Sequence, residues 1–288
     1  MNDRIFAVLP EFSDEEYVRW QAILEERTGI SFSQHKSILH KGLSLRMREI
    51  GATDYDQYFR QVSAVPGGLK EWVHLVDRVS VKETGFFRDA ESFALIREFL
   101  LNRMTDAGQP ASGSCNMWSV GCSTGEEAYS LAMTACDVFD CLGAQCFLGV
   151  TATDISATAL AVAKQGCYQQ GRLSSLSPAT KSKYFVQDDD GNFTVATALR
   201  QRMCFVQDNI LNLDVVAGTE MDIIVCQNVL IYFRRELQMQ VLNVLADCLK
   251  PGGLLVIGSA EAAGWKHPQM DRMVEPGAQA FLKKIENS

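Results

Sequence analysis

Along the first eighty residues, apolar positions recur every three or four residues, the spacing of one buried stripe on a helix. Ser13-Asp-Glu-Glu16 reads as a capping box: the serine hydroxyl can accept the N–H three residues on, and the glutamate can reach back to the serine N–H. The helix it opens carries Tyr17, Trp20 and Leu24 on one stripe and should stop at Gly29, where glycine tolerates a left-handed backbone. A second helix is expected from after Ser33 to Gly51. A third should begin at Thr53-Asp-Tyr-Asp56 and run to Pro66-Gly-Gly68, and Leu69–Asp77 resumes helical spacing with Trp72, Val73 and Val76.

From Asn116 the pattern changes. Short apolar runs ending in Gly, Asp or Asn alternate with amphipathic stretches, which predicts a parallel sheet covered on both faces. The expected strands are Met117–Gly121, Cys146–Thr153 with Asp154 at its end, Met203–Gln207, Met221–Gln227 and Leu254–Ser259. The expected helices are Glu126–Phe139, Ser156–Gln165 and Arg235–Leu249, the last stopped by Pro251-Gly-Gly253. Tyr168–Arg202 breaks the alternation with Gly, Ser, Pro and Asp188-Asp-Asp-Gly191 around a strand-like Phe193–Val195, so an inserted hairpin subdomain is expected there.

Composition narrows the class. With 47% hydrophobic and 22% charged residues among 288, the chain is neither disordered nor fibrous and is long enough for one large domain and a smaller partner. A net charge of −8 and a pI of about 5.1 lack the basic footprint of a nucleic-acid or anionic-membrane binder. The longest apolar stretches, Asp222–Phe233 and Leu254–Gly258, break well before the roughly 18 apolar residues a membrane helix needs. The start of the chain does not read as a signal peptide, so a cytoplasmic protein is expected. Nine cysteines occur without a Cys-x-x-Cys pair, and none of His35, His40, His74 and His267 lies at ligand spacing from one. Cys136, Cys141 and Cys146 recur every five residues, about 500° of helix, so they share no face, and packing is the expected role rather than metal binding.

The chemistry gathers at predicted strand ends. Trp118-Ser-Val-Gly-Cys-Ser-Thr-Gly-Glu-Glu127 places a glycine turn between the first strand and its helix, where backbone can approach a ligand closely. Glu126 and Glu127 put two negative charges in the first helical turn, which would repel a pyrophosphate and suit a cation; S-adenosylmethionine, with a sulfonium and an α-amino group and no phosphate, fits. The alternative is that both only cap the helix. Asp154 stands where one carboxylate can accept from both ribose hydroxyls, or where it simply caps the next helix. Asp208-Asn209-Ile210 and Gln227-Asn228 follow other strands, and their amides could read adenine edges or serve the turns.

Four runs in order, Val81-Lys-Glu-Thr-Gly-Phe-Phe-Arg88, Cys122-Ser-Thr-Gly-Glu-Glu127, Ala152-Thr-Asp154-Ile155 and Asn228-Val-Leu-Ile-Tyr-Phe233, resemble the CheR family, the chemoreceptor glutamate O-methyltransferases of bacterial chemotaxis. The likeness spans about Trp20 to Lys284. It implies an α/β fold: a Rossmann-like S-adenosylmethionine-dependent methyltransferase domain (115–288) with a small antiparallel β-subdomain inserted at 168–202, preceded by an all-α N-terminal receptor-recognition domain (1–80) and a linker with cofactor contacts (81–114). Residue by residue, Lys82, Thr84 and Arg88 look like linker positions that contact the cofactor, Arg88 reaching the methionine carboxylate bidentately. Glu126 or Glu127 would meet the methionine amino group, Asp154 the ribose, Asn209 and Ile210 the adenine, and Gln227 and Asn228 the remaining cofactor edge. Tyr232 resembles the family tyrosine near the transferring methyl, so Tyr232 and Arg88 are the candidate catalytic residues.

Departures from the family pattern are Lys82 for an asparagine, Gln227 for an arginine and Asn116 for a basic residue. An ammonium at Lys82 would repel a sulfonium, and Lys82-Glu-Thr-Gly85 is similar to variants attached to pilus-type chemosensory systems. His35, Lys36, His40, Lys41, Arg46 and Arg48 crowd the second helix with Glu49 as its only acid, a basic surface suited to rows of receptor glutamates, with Lys41, Arg46 and Arg48 as the substrate-binding candidates. The implied partner is the cytoplasmic domain of a chemoreceptor, with no nucleic acid, membrane insertion or metal. A nucleic-acid methyltransferase is the weaker reading, because Gln227-Asn-Val-Leu230 lacks the prolines of an Asn-Pro-Pro-Tyr turn. The alternative within the family is a catalytically weak S-adenosylmethionine-binding adaptor of a chemosensory cluster.

Overall fold

The computed structural model describes residues 9–33, 35–64, 67–105, 112–212, 218, 220–259, 261, 263–275 and 277–285. Four helices come first: α1 (Asp14–Thr28), α2 (Lys36–Ile50), α3 (Tyr55–Ser63) and α4 (Leu69–Val79). Their local chemistry is as expected. Ser13 and Glu16 form the reciprocal capping box, Gly29 ends α1 at φ 75°, and Asp54 caps α3 by accepting from the Gln57 N–H. Trp20, Leu24, Leu39, Leu43, Met47, Tyr58 and Leu75 form their shared core.

The remainder follows as α5 (Ala90–Thr105), β1 (Ser112–Val120), α6 (Glu126–Leu142), β2 (Gln145–Asp154), α7 (Ala157–Gln165), β3 (Cys167–Gln169), α8 (Pro178–Tyr184), β4 (Phe185–Gln187), β5 (Asn192–Val195), α9 (Thr197–Arg200), β6 (Met203–Gln207), β7 (Met221–Cys226), α10 (Arg235–Asp247), β8 (Leu249–Ile257), β9 (Met270–Glu275) and β10 (Ala278–Lys283). A seven-stranded sheet has the order β6-β2-β1-β7-β8-β10-β9, parallel from β6 to β8 and closed by the antiparallel β10 and β9. The chain leaves β1 toward β2 and β6, then returns to β7 on the other side of β1. That reversal opens a crevice at the carboxyl ends of β1 and β7, where open α/β sheets bind ligands.

Side chains alternate between two cores, as the pleat requires. Met117, Ile223, Val225, Leu254 and Val256 face the layer built by α5 and α6, whereas Trp118, Ile224, Cys226, Leu255 and Ile257 face the layer built by α10. Every residue of β7 is buried, which explains its apolar run from Ile223 to Cys226, and its one acid, Asp222, is met by Arg103 and Lys250.

Four features depart from the sequence reading. The stretch 81–114, expected to be a linker, contains the helix α5, tied to the sheet by Arg103 to Asp222 at 2.6 Å. β9 and β10 add a hairpin that the apolar pattern had not suggested. The insertion is a three-stranded antiparallel sheet, β3-β5-β4, with α8 between its first two strands, rather than a hairpin. Pro251-Gly-Gly253 does not stop α10; that helix ends at Asp247, and the motif lies inside β8, whose pairing jumps from Met221–Leu249 to Ile223–Leu254. The jump is a bulge, and Gly253 is required there because a Cβ would stand 2.8 Å from the Lys250 carbonyl oxygen. Among the described residues no helix is long and apolar enough to cross a membrane, and no three His, Cys, Asp or Glu side chains are grouped to hold a metal.

Candidate functional site

A deep cavity opens over the carboxyl ends of β1, β2, β6 and β7, roofed by the α1–α2 loop and by the segment joining α4 to α5. Each part of its wall has a local cause. The turn after β1 opens at Gly121, whose φ of 70° and whose contact with Val229 leave no room for a side chain: a Cβ would lie 2.4 Å from a Val229 methyl. The turn then folds back on β2, with the Gly121 and Cys122 N–H groups both donating to the Thr153 carbonyl. Gly125 caps α6 at φ 95°.

Asp154 holds the turn from the neighbouring strand end. Its two carboxylate oxygens accept from the Ser123 and Ser156 N–H groups, each at 2.8 Å, which leaves lone pairs on both oxygens for a ligand. Burial pushes its carboxyl up, and those two amides pull it back.

Adjacent glutamates have opposite destinies. Glu127 lines the cavity and accepts from the Ser119 hydroxyl at 2.7 Å, with burial pushing its carboxyl up to about 8. Glu126 is fully buried and turned away, paired with Arg172 of the inserted subdomain and with the Thr124 hydroxyl. One helical residue is about 100° of rotation, enough to send the two carboxylates to different layers. The expectation that either could meet the ligand therefore narrows to Glu127.

The other expected residues divide in the same way. Thr84, Arg88, Asn209, Ile210, Gln227, Asn228 and Tyr232 all line the cavity. The Arg88 guanidinium donates to the Glu83 carbonyl at 3.0 Å and keeps its remaining donors. Asn209 lines the cavity while its amide donates to the Arg27 carbonyl at 2.8 Å and its oxygen accepts from the Leu211 N–H, so the side chain also clamps α1 onto the sheet domain. Gln227 likewise spends its amide on Asp89 and Ser92, both at 2.9 Å. Lys82 does not line the cavity; it donates to the Thr158 hydroxyl at 2.7 Å and stands 3.9 Å from Asp77. Arg46 is not a free surface cation, because it grips Glu71 with two hydrogen bonds of 2.8 and 2.7 Å and ties α2 to α4. Lys41 and Arg48 are exposed.

Two residues that the sequence reading passed over complete the site. Asp208 lines the cavity, and its Oδ2 is a buried oxygen without a hydrogen-bond partner. Glu261 is buried under the Gln227–Tyr232 turn and accepts from the N–H groups of Gly258, Asn228 and Ile231 at 2.8, 3.1 and 3.0 Å. It stands just past β8, the same strand-end signal that singled out Asp154. Among the described residues three non-glycines have positive φ, Phe87, Ser123 and Asn228; Ser123 and Asn228 line the cavity, and Phe87 lies beside the lining residue Arg88 with its N–H donated to the Ser130 hydroxyl. Ser123 is held in that conformation by Asp154 and Asn228 by Glu261.

The wall has a definite preference. Glu83, Asp89, Glu127, Asp154 and Asp208 outnumber the single guanidinium of Arg88 among the lining residues, and the Ser123 hydroxyl and Asp208 Oδ2 are buried and unpartnered. Acceptors in excess, one guanidinium and a close-approach glycine fit a cationic nucleoside carrying hydroxyls, an ammonium and a carboxylate, which is the donor set of S-adenosylmethionine.

Residues 82–278 match the family model described as CheR methyltransferase, SAM binding domain, and residues 15–80 match CheR methyltransferase, all-alpha domain. The chain is 34% identical over 254 residues to a chemotaxis protein methyltransferase of Vibrio anguillarum, covering 87% of this chain and 90% of that protein. It is 33% identical over 255 residues to chemotaxis protein methyltransferase 1 of Pseudomonas aeruginosa, covering 87% and 91%. To a chemotaxis protein methyltransferase of Escherichia coli strain K12 it is 30% identical over 253 residues, covering 86% and 85%.

Proposed function

The chain belongs to the CheR methyltransferase family, with S-adenosylmethionine as its cofactor, and from that premise we propose that it esterifies glutamate side chains on the cytoplasmic helices of chemoreceptors, working in the cytoplasm. The observation that carries the reading is the convergence of Thr84, Arg88, Glu127, Asp154, Asn228 and Tyr232 on one acid-rich cavity.

When bound, S-adenosylmethionine supplies an electrophilic methyl on its sulfonium. Asp154 accepts from the ribose hydroxyls, Glu127 pairs with the methionine ammonium, and Arg88 meets the methionine carboxylate. Asp208, rather than Asn209, offers the free acceptor for an adenine amine, with Ile210 against the ring. An acceptor glutamate, which ordinarily titrates at about pH 4.3, is already ionised at neutral pH, so no general base is needed and catalysis reduces to bringing oxygen and methyl into line in a dry site. Tyr232 stands at the mouth, its ring 6.4 Å from His35, and orients the incoming carboxylate through its hydroxyl. His35 and Ile38 line the cavity, and Lys41 and Arg48 continue outward along α2, so that an acidic receptor helix would meet positive charge beside the entrance. Recognition of the receptor is assigned to the N-terminal helices within residues 1–80, with Arg46 holding α2 in shape rather than touching substrate.

The test is methyl transfer from labelled S-adenosylmethionine to membranes carrying the host's chemoreceptors. Alkali-labile label on the receptor band is expected, because a glutamyl methyl ester hydrolyses where N- and C-methyl products persist. Alkali-stable label, or none with the cofactor bound, would reject the reading. In the same assay K41E/R48E is expected to raise the KM for receptor about tenfold without changing affinity for S-adenosylhomocysteine.

Glu127 sets a pH dependence. Its carboxyl is held up at about 8, so pairing with an ammonium requires loss of a proton below that pH. Affinity for S-adenosylhomocysteine is therefore expected to climb from about pH 6 to about pH 8, by up to roughly one log unit per pH unit, with proton release on binding. Calorimetry in buffers of different ionisation enthalpy checks it, and Glu127→Gln should flatten the profile. The linkage sign for the ligand-free fold is opposite: between 4.5 and about 8 the folded state holds the extra proton, so this group's contribution to stability is lost as pH rises.

A further inference from the structure

Asp77 lies in the last turn of α4, where a negative charge opposes the helix dipole, and it is 7% exposed. Such a carboxylate is costly unless it is met by donors. Its Oδ1 accepts from the Ser156 hydroxyl at 2.5 Å, the Thr158 hydroxyl at 3.2 Å and the Thr158 N–H at 3.3 Å, with the Lys82 ammonium 3.9 Å away. Lys82 also donates to the Thr158 hydroxyl. An acid from the helical domain, a cation from the joining segment and the first residues of α7 thus form one cluster.

Within the cluster, Ser156 is the residue hydrogen-bonded to Asp154 in the cavity wall. Ser156 spends its hydroxyl proton on Asp77, accepts from the Ala159 N–H at 3.1 Å as the cap of α7, and aims its own N–H at Asp154. Ser156 is 1% exposed, so these bonds fix its orientation completely. Asp154 in turn is the residue that, on the proposed function, grips the ribose.

We propose that Asp77 and Lys82 are positioning residues for the cofactor's ribose: Asp77 locks Ser156 so that its amide holds Asp154 in the hydroxyl-accepting pose, and Lys82 neutralises Asp77 so that the two acids coexist. Lys82 serves the cofactor from behind the binding wall and does not touch the sulfonium. Its charge also counters the upward push that burial and Asp77 exert on the Asp154 carboxyl. Because Asp77 belongs to the helical domain, the ribose grip depends on both halves of the chain.

The inference rests on the assignment of Asp154 to the ribose, and its test separates the two. Affinities of S-adenosylhomocysteine and its 2′-deoxy analogue are measured by calorimetry on the full chain and on Asp77→Asn, Lys82→Met and Asp154→Ala. For the full chain the missing hydroxyl is expected to cost about tenfold. Asp77→Asn should weaken S-adenosylhomocysteine about tenfold and shrink the hydroxyl penalty to about threefold, and Lys82→Met should do the same to a smaller extent. The Lys82 side chain is 32% exposed and stands 3.9 Å from Asp77, whose oxygen keeps three other donors, so Lys82→Met is expected to lower the ligand-free melting temperature less than Asp77→Asn and decides the matter if Asp77→Asn does not fold. A role in stability alone would lower melting temperature and leave the hydroxyl penalty intact. If Asp154→Ala abolishes the penalty while Asp77→Asn and Lys82→Met retain it in full, the positioning role is overturned; if Asp154→Ala itself retains it, the ribose assignment fails first.

Discussion

Asp154→Ala is expected to weaken S-adenosylhomocysteine by at least about a hundredfold and to reduce methyl transfer to background at ordinary cofactor concentrations. Hydrogen bonds to an ionised acceptor contribute about 1.5–3 kcal/mol each, and two ribose hydroxyls sharing one carboxylate sum to about 3–6 kcal/mol, or about two to four powers of ten in affinity. The same substitution frees the Ser123 and Ser156 N–H groups, so the glycine turn loses the acceptor that holds Ser123 at φ 50°. The first effect acts on the ligand-bound state and the second already on the ligand-free turn, and titration calorimetry reads their sum in the affinity. A loss of tenfold or less would mean that the ribose is held elsewhere.

Arg172→Leu tests the other carboxylate of the glycine turn. Glu126 is completely buried, and its charge is met by Arg172 and by the Thr124 hydroxyl, whose backbone carbonyl accepts from Tyr168 at 2.7 Å. Removing the cation leaves a buried charge without its partner, a change that costs about 3–5 kcal/mol. Arg172 is itself 44% exposed, which places the expected loss near the lower end, about 3 kcal/mol, or a fall of about 6–12 °C in Tm. Adding Glu126→Gln should recover most of it, because the double variant buries no unpaired charge. Differential scanning calorimetry on the four proteins gives the coupling directly. If Arg172→Leu melts with the parent, the pair contributes nothing and the inserted subdomain is held by its other contacts, among them the Tyr168–Thr124 hydrogen bond and the edge-on packing of Phe86 against Tyr168 and Phe185.

These two carboxylates show where sequence reasoning stops. The glycine turn, the acid at the end of β2 and the acid pair opening α6 were all visible as strings of residue types. Which glutamate of the pair faces the ligand was not, because that depends on the angle at which α6 lands on the sheet. Asn209 and Gln227 were singled out as free amides at strand ends, and each is spent on a partner far away in the chain, Arg27 at a separation of 182 residues and Asp89 at 138. Arg46 was read as part of a basic surface, and Glu71, 25 residues on, takes it. Asp208 was overlooked beside Asn209 because nothing local marks which of two neighbouring polar residues keeps an acceptor free.

By itself the sequence determined the capping box at Ser13, the helix starts at Thr53–Asp56 and Ser156, the alternation of strand and helix after residue 116, the acid-rich glycine turn and the strand-end Asp154. Each of these is written within a few residues, since capping, periodicity and backbone freedom are short-range effects. The tertiary structure alone decided the bulge that absorbs Pro251-Gly-Gly253, the third strand of the insertion, the burial of Glu126, the support of Asn228 by Glu261 and the capture of Lys82 by Asp77 and Thr158. In each of those a polar or conformationally costly group is satisfied by a partner that only the folded chain brings within hydrogen-bonding distance, and burial makes that satisfaction obligatory.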